Sequence, residues 1–312
     1  MKKIIIALLL FALVFSFFVG CSSDDNAPAS AEQNTESAEQ NTERTEQNAG
    51  RTEQNAETAE TGTTTPDVVS VSEALLFEQE GVRLTVTGLE ESWMGTELQV
   101  LIENDSDVPV TVQVRNVSVN GFMLNDAVFS PSVTPGNRVN DSITFMSNGL
   151  ETSGIDTFGV IELSFVVFHS ESWDDIFQTE FIGIETSAAR HFTQALPNTI
   201  ETIYDQDGIS ISYMGLEESF LGEDVVLFII NDTDRPIIVQ ARDEAVNGLM
   251  VTGVMSATVL PGRMTVTSLG FGSWDLEANN IEVIETVAFR FAILDYDNWA
   301  NTTLTDMIEL TP

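Results

Sequence analysis

Beyond residue 80 the chain alternates apolar and polar positions, and this period-two pattern predicts strands. In Val82-Arg83-Leu84-Thr85-Val86 the two valines and the leucine share one face. Leu98-Gln99-Val100-Leu101-Ile102 leads into an Asn/Asp turn, after which Val108, Val110, Val112 and Val114 fall on one face. Strands are also predicted over 139–145, 161–167 and 177–184, and near the end Val287, Phe289, Phe291 and Ile293 alternate with Ala288, Arg290 and Ala292. Asn104-Asp105, Asn120-Gly121 and Pro135-Gly136 supply the turn chemistry between them. A short helical turn is expected near Leu150 to Ile155.

The pattern occurs twice, about 127 residues apart. Gly88-Leu89-Glu90-Glu91-Ser92 returns as Gly215-Leu216-Glu217-Glu218-Ser219, and Gly95 as Gly222. Asn104-Asp105-Ser106-Asp107 returns as Asn231-Asp232-Thr233-Asp234, and Val119-Asn120-Gly121-Phe122-Met123 as Val246-Asn247-Gly248-Leu249-Met250. After a one-residue shift, Pro135-Gly136 maps to Pro261-Gly262 and Trp173 to Trp299. So many ordered matches require a duplication. About seven strands per copy predict an all-β protein of two tandem Ig-like antiparallel β-sandwiches, without the disulfide of antibody domains. The G-L-E-E-S opening, N-D-[ST]-D turn, V-N-G-[FL]-M segment and late Trp resemble uncharacterised Ig-like sandwich domains of Gram-positive lipoproteins and envelope proteins. That resemblance implies an architecture and no catalytic residues.

The N-terminal pattern is different. Met1-Lys2-Lys3 precedes an apolar run from Ile4 to Val19, interrupted by Ser16, and then Gly20-Cys21-Ser22. A positive end followed by about 16 apolar residues is a signal-peptide pattern, shorter than a comfortable membrane span. Phe18-Val19-Gly20-Cys21 resembles the lipobox of bacterial lipoproteins, although Phe18 departs from the usual Leu. The resemblance implies lipidation of Cys21, whose two acyl chains would hold the protein at the membrane. From residue 31 to 65 a degenerate seven-residue unit follows (AEQNTES, AEQNTER, TEQNAGR, TEQNAET, AETGTTT). It offers only Ala or Thr where coiled-coil knobs must be large, so a disordered acidic tether is expected. The expected divisions are a signal peptide (1–20), anchor and tether (21–66), a first module (67–186), a linker (187–203) and a second module (204–312).

Charge narrows the function. The chain has 49 Asp and Glu against 12 Lys and Arg, a formal net charge of -37, and both lysines lie in the signal segment. Nucleic acid is excluded as a partner, since a phosphate backbone is held by Lys and Arg. One Cys and two His leave neither a disulfide framework nor a Cys/His zinc site.

Each candidate site has a bland rival. Asp105 and Asp107, with Asp232 and Asp234, could form a weak divalent-cation site in each copy, but two carboxylates are too few for calcium and a hairpin turn is the favoured reading. Glu90-Glu91 and Glu217-Glu218 are adjacent strand residues that point to opposite faces, so a shared catalytic proton is not expected. Trp173, Trp299 and Trp93, the last aligned with Phe220, are read as core or edge packing in preference to a stacking platform. Arg115 and Arg242 recur and are expected to make structural ion pairs. His169 and His191 are unmatched between copies and are read as surface or linker residues. No nucleophile-base pair occurs in either copy, and no cofactor is expected. The function expected is a non-catalytic binding protein, lipid-anchored on the extracytoplasmic face of the cell membrane, for an unknown extracellular or envelope ligand. The alternatives are a structural cell-surface spacer and a hydrolase with an unrecognised site.

Overall fold

The computed structural model describes residues 69–296 and 302–312. Cys21, the signal segment, the tether and Trp299 lie outside the described residues.

In the first copy the elements are β1 (Ala74–Gln79), β2 (Val82–Ser92), β3 (Gly95–Asn104), β4 (Val110–Val119), β5 (Phe122–Met123), β6 (Ser132–Val133), β7 (Asn137–Met146), α1 (Ser147–Thr152), β8 (Val160–His169), β9 (Asp175–Gln178) and β10 (Ile182–Glu185). One sheet has the order β1-β2-β3-β7, and the facing strands run β10-β8-β4, with β9 also on β8 and β6 on β4. With β2, β3 and β7 as strands A, B and E, and β4, β8 and the β9/β10 edge as C, F and G, this is the strand order of an Ig-like sandwich with one added edge strand. The second copy repeats it with β11 (Glu201–Gln206), β12 (Ile209–Glu218), β13 (Gly222–Asn231), β14 (Ile237–Val246), β15 (Leu249–Met250), β16 (Gly253–Val254), β17 (Ser256–Val259), β18 (Arg263–Gly272), α2 (Ser273–Ala278), β19 (Val287–Asp295), β20 (Thr302–Leu304) and β21 (Ile308–Leu310).

The alternating residues face inward as their period requires. Val82, Leu84, Val86, Leu98, Val100, Ile102, Val110 and Val112 are buried in the first core. Phe77, Phe129, Phe165 and Phe177 form one aromatic cluster in this core, with neighbouring ring centroids 5.6 to 6.2 Å apart. Asn120-Gly121 and Asn247-Gly248 are two-residue hairpin loops with all four residues at positive φ, as a type I′ turn demands. The alternation is not continuous. A bulge between Val114 and Asn116 leaves Arg115 unpaired in the ladder and shifts the inward phase to Val117 and Val119. The edge opposite β8 is likewise broken: Thr179 accepts a hydrogen bond from Phe165 N at its Oγ1 and donates its own N–H to Phe165 O, both 2.9 Å. Thr305 does the same to Phe291 in the second copy.

The copies are joined side by side through their strands. Met264 at the start of β18 pairs in parallel with Phe122 of β5, so eleven strands form one sheet across the junction. The outer face of β13 and β18 carries Phe228, Ile230, Met264 and Val266, which pack against the first core. Phe228 stacks on Phe122 at 5.9 Å. The corresponding first-copy residues, Leu101, Glu103, Arg138 and Asn140, include three polar side chains, and both Arg138 and Asn140 are exposed.

Candidate functional site

The Asn/Asp turns are built by their asparagines. Asn104 is fully buried; its Nδ2 donates to Val108 O and Val133 O, both 2.9 Å, and its Oδ1 accepts from Ser106 N and Ser106 Oγ. Asn231 makes the same four bonds with Arg235 O, Val259 O and Thr233. Asp105, Asp107, Asp232 and Asp234 are exposed on the outside of these loops. Among the described residues no group of three or more His, Cys, Asp or Glu is close enough together to hold a metal ion. Glu90 and Glu91 are exposed, with Glu91 accepting a bond from Thr96 Oγ1 at 3.1 Å.

Two readings are corrected. Arg115 and Arg242 make no ion pair among the described residues; both are exposed, and Arg242 donates to Ala241 O and the Gln240 side chain. Arg115 occupies the bulge of β4, whereas Arg242 still pairs with Arg290 and the break in β14 follows it at Asp243 and Glu244. The ion pairs present belong to Arg83, Arg235, Arg263 and Arg290. Of the two described tryptophans read as core or edge packing, neither is core, and Trp173 packs at an edge. Trp173 is 71% exposed at φ 64 in the turn after β8, its ring stacked 5.4 Å from Phe168. Trp93 is 91% exposed because it occupies the two-residue loop between Ser92 and Gly95, outside both sheet layers. His169 Nδ1 accepts from Glu171 N at 3.2 Å within the same turn as Trp173, and His191 is exposed.

Aligned with Trp93, Phe220 stands fully in solvent on the β12–β13 hairpin, beside the exposed Leu221. Ser273 N donates to Leu221 O, which sets α2 and the exposed Trp274 next to this hairpin. Three large apolar side chains therefore share one end of the second sandwich. Gly222 makes the tight approach possible: it sits at φ 154, and a Cβ there would lie 2.0 Å from Phe271 O.

Between this hairpin and the segment after α2 runs an open groove of about 470 Å³, within the range of ligand pockets. Leu216, Phe220, Leu276, Ile281, Val283 and Ile284 provide its apolar lining. Glu218, Glu223, Glu277 and Glu282 surround it. Glu218 and Glu223 are direct cross-strand partners, a like-charge pair that costs stability. In the first copy the equivalents are Glu91 and Thr96, which hydrogen-bond instead. The equivalent of Ile284 there is Phe158, buried against Phe145 at 5.2 Å, with Ile155 buried where Ile281 is half-exposed. The smaller Ile284 leaves open in the second copy what Phe158 fills in the first.

No protein-family model matches the chain, and no curated protein is significantly similar to it in sequence. Among solved structures, the YadV chaperone aligns over 69% of this chain and 92% of its own, at 10% identity and a TM-score of 0.23. The Salmonella enterica SafA pilin in complex with the SafB chaperone aligns over 76% of this chain and 98% of that one, at 11% identity and a TM-score of 0.20. Amycolatopsis orientalis exo-chitosanase CsxA aligns over 72% of this chain but 26% of its own, at 11% identity and a TM-score of 0.22. At such scores neither chaperone nor chitosanase chemistry transfers to this chain. No helix among the described residues is long and apolar enough to cross a membrane.

Proposed function

We propose that the chain is a non-catalytic binding protein, lipid-anchored through Cys21 on the extracytoplasmic face of the membrane and carrying two Ig-like modules of the Gram-positive envelope type. Its binding end is the apolar tip of the second module. The observation that carries this reading is the clustering of Phe220, Leu221 and Trp274, each at least 69% exposed, beside an open groove. Solvent-exposed aromatics gathered at one end have no packing role, and interfaces draw on such residues as anchors. The acidic repeat would serve as spacer, holding this tip away from the bilayer at which the anchor sits.

The test is made on cells. A photo-crosslinking phenylalanine analogue at position 220 should capture a partner in the membrane fraction, whereas the same group at Asp232 on the opposite turn should not. Cys21→Ala should release the protein from that fraction. Equal capture at both positions, or none, overturns the assignment of the tip; unchanged fractionation overturns the anchor.

A further inference from the structure

We infer that the groove at the tip of the second copy binds an extended segment of a protein partner in which Lys or Arg alternates with apolar or aromatic side chains. The inference rests on the reading of this tip as the binding end and assigns its ligand class.

The two copies differ at this end. Glu223 replaces Thr96, so a neutral residue that satisfied Glu91 becomes a second carboxylate facing Glu218. Ile284 replaces the buried Phe158, which turns a packed position into an opening. Val283 replaces Thr157 and stands 68% exposed on the rim. Together these changes make the second site larger, more apolar and more acidic than its counterpart. No arginine pairs with Glu218, Glu223, Glu277 or Glu282 among the described residues, and the chain has no lysine beyond residue 3. A cation lying between Glu218 and Glu223 would relieve their repulsion, and no arginine among the described residues supplies one.

The apolar groups set the rest of the ligand. Phe220 and Val283 are the exposed apolar residues of the lining, while Leu216, Ile281 and Ile284 are partly buried, so apolar surface and carboxylates line the same short groove. An extended peptide presents side chains to opposite sides with period two, so alternating Lys and Phe give it one cationic and one apolar edge, which can meet carboxylates and apolar lining at once; a small amine would leave Phe220 in water.

The experiment measures binding of synthetic peptides to the full-length chain by calorimetry. The probes are an eight-residue peptide alternating Lys and Phe, its Glu/Phe counterpart and a Lys/Ser counterpart. The Lys/Phe peptide should bind at least about tenfold more tightly than either control. Glu218→Gln with Glu223→Gln, and separately Phe220→Ala, should each weaken it about tenfold or more. Removing the like-charge pair should leave the melting temperature equal to or above wild type, which separates loss of binding from loss of fold. Binding of the Lys/Phe peptide that neither variant changes would be attraction to the overall negative charge and would overturn the inference. So would equal binding of the Lys/Ser peptide. A partner crosslinked at position 220 combined with either of those results would retain the tip as the binding end and remove the ligand class alone.

Discussion

Arg263 of the second copy closes a two-bond fork on Glu162 of the first, Nε to Oε2 at 2.9 Å and Nη2 to Oε1 at 2.5 Å. Ser118 Oγ donates to the same carboxylate at 3.3 Å, and the guanidinium lies 5.8 Å from the Phe181 ring. Both side chains are about three-quarters or more removed from solvent. In the other copy the equivalent positions hold Ala288 and Asn137, so the fork exists only at the junction. Glu162→Ala and Arg263→Ala should each lower unfolding free energy by about 1 to 3 kcal/mol, because each strands a half-buried charge. A double-mutant cycle by denaturant titration should show coupling on the order of 1 kcal/mol. Additivity of the two substitutions would mean that the fork contributes nothing.

The apolar half of the junction is larger. Phe228 is 4% exposed and stacked on Phe122, yet it projects from the outer face of its own sheet. Phe228→Ala should therefore cost about 3 to 5 kcal/mol, as a core truncation does. Leu101→Ala, at the equivalent half-exposed place in the first copy, should cost far less. Equal effects on melting would argue that the two outer faces are equally solvated.

Asn104 and Asn231 rank above the four aspartates beside them. Replacing either by Ala strands two carbonyls, Val108 O and Val133 O in one copy or Arg235 O and Val259 O in the other. A loss of about 2 to 4 kcal/mol is expected for each, against a change near zero for Asp105→Asn. Thermal melts of the single variants check the order.

Much of the fold was legible because alternation and turn residues agree. Asn120-Gly121 specified both the turn and its two positive φ values, and the repeat specified that one strand order would occur twice. What escaped has identifiable physical causes. The edge strand Ala74–Gln79 carries a bulge between Leu75 and Phe77 that breaks its period, and β11 is broken likewise between Thr202 and Tyr204. Trp93 departs from its reading because size favours burial, whereas it lies in a loop of two residues that no sheet layer reaches. The junction did leave a signal, though not in the matches. It lies where the copies disagree: Glu162 against Ala288, Arg263 against Asn137, Met264 against Arg138. The groove announces itself in the same way, through Glu223 against Thr96 and Ile284 against Phe158.

Asp126 should make stability depend on pH. Burial raises its carboxyl above the ordinary value of 3.8, opposed by hydrogen bonds from its own backbone N–H and from Gly149 N. The folded chain thus holds this proton more tightly than the unfolded chain. The stabilisation is complete below 3.8 and is lost as pH rises through the raised value. Asp126→Asn keeps an acceptor for Gly149 N and removes the ionisation, so at neutral pH it should melt no lower than wild type. Its stability should also fall less over that interval. An unchanged pH profile would place the titration elsewhere.

Most of the negative charge has no arginine to pair with. Ten arginines face 49 acids in the chain beyond its two lysines, and among the described residues four arginines account for the ion pairs present. Like charges even sit directly opposite one another in the ladders, as Glu90 with Glu97, Glu217 with Asp224 and Glu218 with Glu223. Such pairs repel within a Debye length of about 8 Å at physiological ionic strength, so folding draws carboxylates together at an electrostatic cost. Added sodium chloride should therefore raise the melting temperature steadily up to a few hundred millimolar. Magnesium and calcium at equal ionic strength test for anything more specific. Should Asp105 and Asp107 collect a divalent ion, calcium would exceed sodium and the excess would vanish in Asp105→Asn with Asp107→Asn. Because their loop is held by Asn104 and turns both carboxylates outward, the excess should be absent and the double substitution should leave the salt slope unchanged. Glu218→Gln with Glu223→Gln should instead flatten the slope, since it removes a repulsive pair at its source. A melting temperature indifferent to salt would show that the excess charge is too dispersed to oppose folding.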